Sequence, residues 1–182
     1  MIGSGRVHLI KIKDVFLLDA ECHRDERGLF RRHYCEKELK DKGIDFSVKQ
    51  GNVSENSKKH TIRGFHYQIA PSKESKIISC ISGSVFNVVI DMRKNSPTFL
   101  QYQEFNISAS GRESLYIPVG CANAFLTLEV NTWIHYYMND FFTTDSLGFR
   151  YDDPVFAINW PVKPEHMSEK DRNYPNLEVS AL

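Results

Sequence analysis

The sequence carries no net charge. Lys plus Arg and Asp plus Glu number 23 each in 182 residues, so no general attraction draws the chain to nucleic acid or to an acidic membrane. Only a local basic pocket for a phosphate stays open. Paired cysteines are also absent. Cys22, Cys35, Cys80 and Cys121 are scattered without CxxC spacing, which argues against a zinc framework and fits reduced thiols better than a disulfide scaffold. Long apolar runs are missing too. The opening stretch MIGSGRVHLIKIKDVFLL is broken by Arg6, Lys11, Lys13 and Asp14 before a signal-type segment develops. Nothing approaches the roughly 20 apolar residues that span a bilayer. There is no glycine-rich phosphate loop of the Walker or Rossmann kind and no G-x-S-x-G elbow, so nucleophilic hydrolysis finds no support. These absences leave the expectation of a soluble, cytoplasmic chain with neither nucleic acid nor membrane as a partner.

What is present points to β-structure. With 41% hydrophobic residues over 182 positions, the chain is long enough for one domain, 1–182, with a sizeable core, and short for two. Short β-branched and aromatic runs recur at 15–18, 76–81, 85–90, 99–107, 115–117, 124–128 and 133–138. They end in turn-formers such as Ser82-Gly83-Ser84, Lys94-Asn95-Ser96-Pro97, Ser110-Gly111 and Pro118-Val119-Gly120. ISCISGSVFNVVID reads as a hairpin around its Ser-Gly-Ser turn. Helical patterning is confined to 35–42 and to a C-terminal stretch from 164 to about 173. The pattern predicts one all-β domain, an antiparallel sandwich or barrel, with a peripheral helix or two.

One run, His60-Thr61-Ile62-Arg63-Gly64-Phe65-His66-Tyr67-Gln68, alternates like a strand yet is too polar to build only a core. Small double-stranded β-barrels often hold a metal through an HxH…E cluster and a later histidine after a P-x-G turn. Here Gln68 takes the place of the second histidine. In Pro118-Val119-Gly120-Cys121-Ala122-Asn123, Asn123 takes the place of the later one. Amides are poor substitutes for the imidazoles that zinc or iron prefers, so the expectation is a jelly-roll without metal. His23, His33, His60, His135 and His166 are unclustered and read as surface or packing residues.

Taken in order, the motifs resemble a known family. Asp25-Glu26-Arg27-Gly28-Leu29-Phe30, Gln50-Gly51-Asn52-Val53-Ser54 and Ile62-Arg63-Gly64-Phe65-His66-Tyr67-Gln68 are similar to successive signatures of the dTDP-4-dehydrorhamnose 3,5-epimerases. GSVFNVVIDMRKNSPTF, LYIPVGCANAFLTL, YDDPVFAINWP and MSEKD continue the likeness from about residue 8 to 175. The resemblance implies a cupin-type double-stranded β-helix, or jelly-roll, with short peripheral helices. It also implies a homodimer, a nucleotide-linked 4-keto-6-deoxyhexose as substrate, and no metal or redox cofactor.

Epimerisation beside a ketone needs a base, an acid on the opposite face, a stabiliser for the enolate and an anchor for the sugar nucleotide. The resemblance puts His66 at the base, a suitable type because imidazole is largely neutral at pH 7. It makes Asp171 the carboxylate partner of His66. A capping box with Ser168 is the competing structural role for Asp171. Tyr136 matches the acid, though its neighbour Tyr137 has the opposite strand parity and a one-residue slip would exchange the two. Lys76 matches the enolate stabiliser, against a solvated strand-end lysine. Arg27 and Arg63 match the diphosphate anchors, a task suited to a forked guanidinium. Gln50, Asn52, Phe30 and Asn123 match further substrate-binding positions, with turn hydrogen bonding an equal alternative for Gln50 and Asn52.

Departures from the family pattern fall around the substrate. Asn123 stands where histidine is usual, Tyr137 where lysine is common and Arg32 where glutamate is expected. The 143–147 loop is a residue shorter than usual and lacks the family's glutamate. The acid–base chemistry is therefore expected to persist. The nucleotide (dTDP, GDP or CDP) and the centres inverted (C3, C5 or both) stay open. A 3,4-keto-isomerase on the same fold and a non-catalytic sugar-binding jelly-roll are the alternatives. One geometric question also stands. Arg63 and His66 are three apart and would face opposite sides of a regular strand. Either Gly64 hosts a bulge, or Arg63 serves the second site of a dimer.

Overall fold

A computed structural model describes residues 10–144 and 146–179. The two ends of the 1–182 span, and Asp145 in the 143–147 loop, lie outside the described residues. Among the described residues the strands are β1 (Phe16–Leu18), β2 (Cys22–Asp25), β3 (Gly28–Arg31), β4 (Gln50–Asn56), β5 (Ile62–Gln68), β6 (Lys76–Ser82), β7 (Ser84–Asp91), β8 (Tyr102–Ser108), β9 (Ser114–Ile117), β10 (Cys121–Thr127), β11 (Thr132–Met138) and β12 (Ser146–Gly148). Two short helices, α1 (Glu36–Asp41) and α2 (Glu169–Arg172), accompany them. The strands form two five-stranded antiparallel sheets, β1-β9-β6-β11-β4 and β12-β5-β10-β7-β8, with β2 and β3 as a separate ribbon. This is the expected cupin-type jelly-roll.

Side-chain parity divides the apolar residues between an inner core and two outer layers. On β10, Cys121 and Phe125 face inward and meet Ile78, Val89 and Ile134 between the sheets. The alternate residues Ala122, Ala124 and Leu126 face outward and pack with Phe65, Phe86 and Phe149 beneath the C-terminal segment. All seven residues of β10 are therefore buried. That two-sided burial is why its sequence reads as a continuous apolar run rather than an alternation. On the other sheet, Ile77 packs outward against Leu39, Ile44 and Phe46, so α1 covers that face.

Three expectations need correction. Ser82-Gly83-Ser84 does not close a hairpin. β6 pairs with β9 and β11, whereas β7 pairs with β8 and β10, so the turn carries the chain from one sheet to the other. Cys80 and Val85 then meet across the interior, and Gly83 makes the crossing at φ +74°, where a Cβ would run into Thr132. Residues 99–101 are not strand. Leu100, at φ +61°, donates to Asp91 O at 2.8 Å, and β8 begins only at Tyr102. The C-terminal helix is shorter than the 164–173 pattern, because His166 bridges Thr61 in extended form and its carbonyl accepts from Ile62 N at 2.8 Å. The strands β2, β3, β4 and β12 went unforeseen because they are mostly polar or exposed.

Candidate active site

Between the sheets the inward-facing residues change from apolar to polar, and a cleft of about 1120 Å³ opens there. Asn52 and Ser54 of β4, Arg63 and His66 of β5, Lys76 of β6, Asn123 of β10 and Tyr136 of β11 all line it. Lys170 and Asp171 of α2 complete one side.

The question of Arg63 and His66 is answered by the register of β5. Asn123 lies opposite His66 and Phe125 opposite Arg63. Two steps on β10 therefore match three on β5, and the extra residue is a bulge. It puts both side chains on one face without any second copy of the chain. Gly64 sits inside it at φ +108°, where a Cβ would lie 2.8 Å from Ala124 Cα and closer still to the Asn123 carbonyl oxygen. The Gly64–Phe65 peptide bond is cis. Phe65 points the other way, fully buried and stacked on Phe149 at 4.9 Å between centroids.

Asp171 has both of the roles considered for it. Its backbone N–H donates to the Ser168 hydroxyl at 3.0 Å as the helix cap, while its carboxylate lies 2.6 Å from His66 Nε2. Burial alone would push the Asp171 carboxyl up. The hydrogen bond and charge of His66, with help from Ser168 and the Gly64 N–H, outweigh it and hold the group below the usual carboxylate range. With Nε2–H donating to Asp171, the neutral imidazole keeps its lone pair on Nδ1.

Tyr136 points into the cleft and Tyr137 away from it. The outer face holds Tyr137 against His135 at 4.3 Å and Tyr34 at 5.4 Å between centroids. Burial raises the Tyr136 phenol well above its ordinary range, with the Arg63 charge and the Ser54 hydroxyl pulling it partly back. It keeps its proton throughout the physiological range. Lys76 is not a solvated strand end. Its Nζ lies 2.9 Å from the buried Glu74 carboxylate at the cleft wall. Arg63 donates through Nε to Asn56 Oδ1 at 2.8 Å, and among the described residues it has no carboxylate partner.

The remaining sequence candidates are more dispersed. Gln50 stands beside the cleft, accepting from Phe142 N at 2.9 Å and lying 3.4 Å from Asn52 Oδ1. Arg27 and Phe30 are not brought to the cleft of their own chain. They sit on the β2–β3 ribbon, where Arg27 pairs with Asp25 at 2.6 Å and Phe30 is 72% exposed. Arg32 pairs with Glu38 of α1. Glu74 and Lys170 are among the cleft residues passed over in the sequence, and His166, read as a surface or packing residue, also lines the cleft. The first two each had a signal. Glu74 lies two before Lys76, and Lys170 precedes Asp171 in the MSEKD stretch. Among the described residues, no three His, Cys, Asp or Glu side chains converge as a metal ligand set, and no helix is long and apolar enough to cross a membrane.

A family model described as dTDP-4-dehydrorhamnose 3,5-epimerase matches residues 9–179. The chain belongs to the dTDP-4-dehydrorhamnose 3,5-epimerase family. These enzymes are isomerases. This epimerase-family chain is 35% identical over 175 residues to the Salmonella typhimurium dTDP-4-dehydrorhamnose 3,5-epimerase, covering 94% of each chain. It is also similar in structure to the Bacillus anthracis epimerase, solved with TDP and PPi bound, at a TM-score of 0.91. There the identity is 35%, with 94% of this chain and 99% of that one covered. The Legionella pneumophila dTDP-6-deoxy-D-glucose-3,5-epimerase, in complex with dTDP-4-keto-L-rhamnose, superposes at 0.88 with 29% identity, over 94% and 92%.

Proposed function

We propose that the cleft binds a dTDP-linked 4-keto-6-deoxyhexose and inverts C3 and C5 beside its ketone. The observation that carries this reading is the His66–Asp171 contact of 2.6 Å in a cleft that also holds Tyr136 and Lys76. His66 Nδ1 takes the proton from the carbon next to the ketone, and Asp171 stabilises the imidazolium that results. Negative charge moves to the C4 oxygen, where the Lys76 ammonium meets it. Tyr136, a phenol that holds its proton at neutral pH, returns one to the opposite face of the carbon and regains one from solvent. Arg63 and Lys170 hold the diphosphate as fixed cations. The dTDP sugar in the Legionella structure and the TDP in the Bacillus structure support this choice of nucleotide.

We further infer that residues 1–182 form one epimerase domain, working as a cytoplasmic homodimer with reduced cysteines and no cofactor. The β2–β3 ribbon supports the dimer. A two-stranded ribbon is marginal alone, and this one presents Leu29 and Phe30 to solvent. A partner's cleft would cover them and receive Arg27.

The test is incubation in D₂O with dTDP-4-keto-6-deoxyglucose and its GDP and CDP counterparts. Deuterium at C3 and C5 of the dTDP sugar is expected, with loss of exchange in His66→Ala. Tyr136→Phe is expected to retain exchange and lose inversion. Absence of exchange with all three sugars would sink the reading, and exchange at one carbon would reduce it to a mono-epimerase.

A further inference from the structure

We propose that Asn123 is a fixed hydrogen-bond acceptor for a hydroxyl of the bound sugar, that Asn87 locks it in that orientation, and that the pair selects a hydroxylated ring over its deoxy counterpart. The proposal rests on the epimerase reading above and adds to it a determinant of substrate choice.

Asn123 lines the cleft directly opposite His66 in the β5–β10 register, and is 8% exposed. Its Nδ2 donates to Asn87 Oδ1 at 2.8 Å and to Val88 O at 3.1 Å, with Ala124 O at 3.4 Å. Val88 O is a backbone carbonyl and can only accept. The amide therefore cannot turn over without setting oxygen against oxygen. Among the described residues nothing donates to Asn123 Oδ1, so this oxygen is what the side chain offers to the cleft.

Asn87 shows what the arrangement is for. It is fully buried, and its own Nδ2 has no hydrogen-bond partner. An orphaned donor in a core is costly, and an apolar residue would avoid that cost. The bond that Asn87 makes to the cleft wall is the one it accepts from Asn123. We take the unmet donor as the cost of holding the acceptor. A neutral amide neither titrates nor rotates here, so the ring atom it faces must present an O–H. A C–H in that place would leave Oδ1 desolvated and unpaired, a loss of about 10- to 100-fold in kcat/KM. Because Asn123 faces His66, the hydroxyl concerned is on the reacting carbon C3 or on its neighbour C2.

The test compares kcat/KM for solvent-deuterium uptake on dTDP-4-keto-6-deoxyglucose and on its 2-deoxy and 3-deoxy analogues. C5 remains exchangeable in all three. Wild type is expected to prefer the parent sugar to one analogue by about 10- to 100-fold, and which analogue suffers identifies the hydroxyl. Asn123→Ala should bring that ratio toward unity. Asn87→Val, at a position that never touches sugar, leaves only backbone carbonyls, chiefly Val88 O, to hold the amide and should bring the ratio part of the way down. Asn87→Asp keeps the acceptor and should keep the ratio. Ratios taken within one protein are independent of how much of it is folded. A ratio unchanged in Asn123→Ala, or no preference in wild type, would overturn the proposal alone. No exchange of any sugar by wild type would overturn the epimerase reading and this assignment with it.

Discussion

His66 Nε2 is occupied by Asp171, and that single contact sets which nitrogen is left to act. In Asp171→Asn the amide can hold the ring but cannot balance an imidazolium. The expected result is a fall in kcat of about 10²- to 10⁴-fold with little change in KM, read by steady-state kinetics. At this scale the sequence was informative where motif order placed a residue and weak where parity had to. His66, Tyr136, Asp171 and Lys76 were nameable from the order of motifs, and they share one cleft. The parity conflict between Tyr136 and Tyr137 needed the pairing of β11 with β4 and β6, since both tyrosines suit a strand. Glu74 went unnamed because an acidic residue before a strand reads as surface, although here it is buried against Lys76.

At the scale of elements, strands were legible wherever apolar residues recur, and their partners were not. A turn such as Ser82-Gly83-Ser84 shows that the chain reverses or crosses without showing which sheet receives it. The same limit applies after β7, where one buried carboxylate shapes the whole 92–101 connection. Asp91 accepts from Arg93 at 2.8 Å, Ser96 at 2.5 Å and Thr98 at 2.7 Å, while Arg93 also reaches Asp14 at 3.1 Å. Burial would raise the Asp91 pKa, but these bonds, led by that of Arg93, bring it down to about 2. A depressed carboxylate stabilises the fold above its ordinary value of 3.8, and that contribution is lost as the pH falls toward 2. Asp91→Ala is expected to cost about 3–5 kcal/mol at pH 7, because Arg93 keeps only the exposed Asp14 as an ionic partner and the Ser96 and Thr98 hydroxyls lose their acceptor. Urea unfolding at pH 7 and pH 3 checks both statements, and the variant should show a smaller acid-induced loss than wild type.

For the whole molecule, a net charge of zero concealed a cleft with a distinct local balance. The Lys76 ammonium is met by Glu74, and Asp171 is bonded to His66. Arg63 and Lys170 have no carboxylate partner among the described residues. Composition averages over such a site and cannot reveal it. The placement of Arg27 and Phe30 on an exposed ribbon, rather than in the cleft, also belongs to this scale. If Arg27 serves a partner's cleft, mixing inactive His66→Ala and Arg27→Ala chains should restore about a quarter of wild-type activity, because half of the dimers are mixed and each holds one intact cleft. If Arg27 acts within its own chain, mixing restores nothing. Activity against mixing ratio, with sedimentation to establish the dimer, distinguishes the two.

The bulge at Gly64 has one more consequence. β5 is two strand segments joined out of phase, with Arg63 ending one and His66 opening the other. If β5 paired regularly with all of its residues kept, one of the two side chains would turn out of the cleft while its partner stayed, with no change of composition at all. Conservative replacement of the outward-facing Phe65 leaves the phase intact. What β5 carries toward function is thus a spacing as much as a set of residues. A β5 shortened by one of the two residues between them would need no bulge, because a spacing of two already sets both side chains on one face.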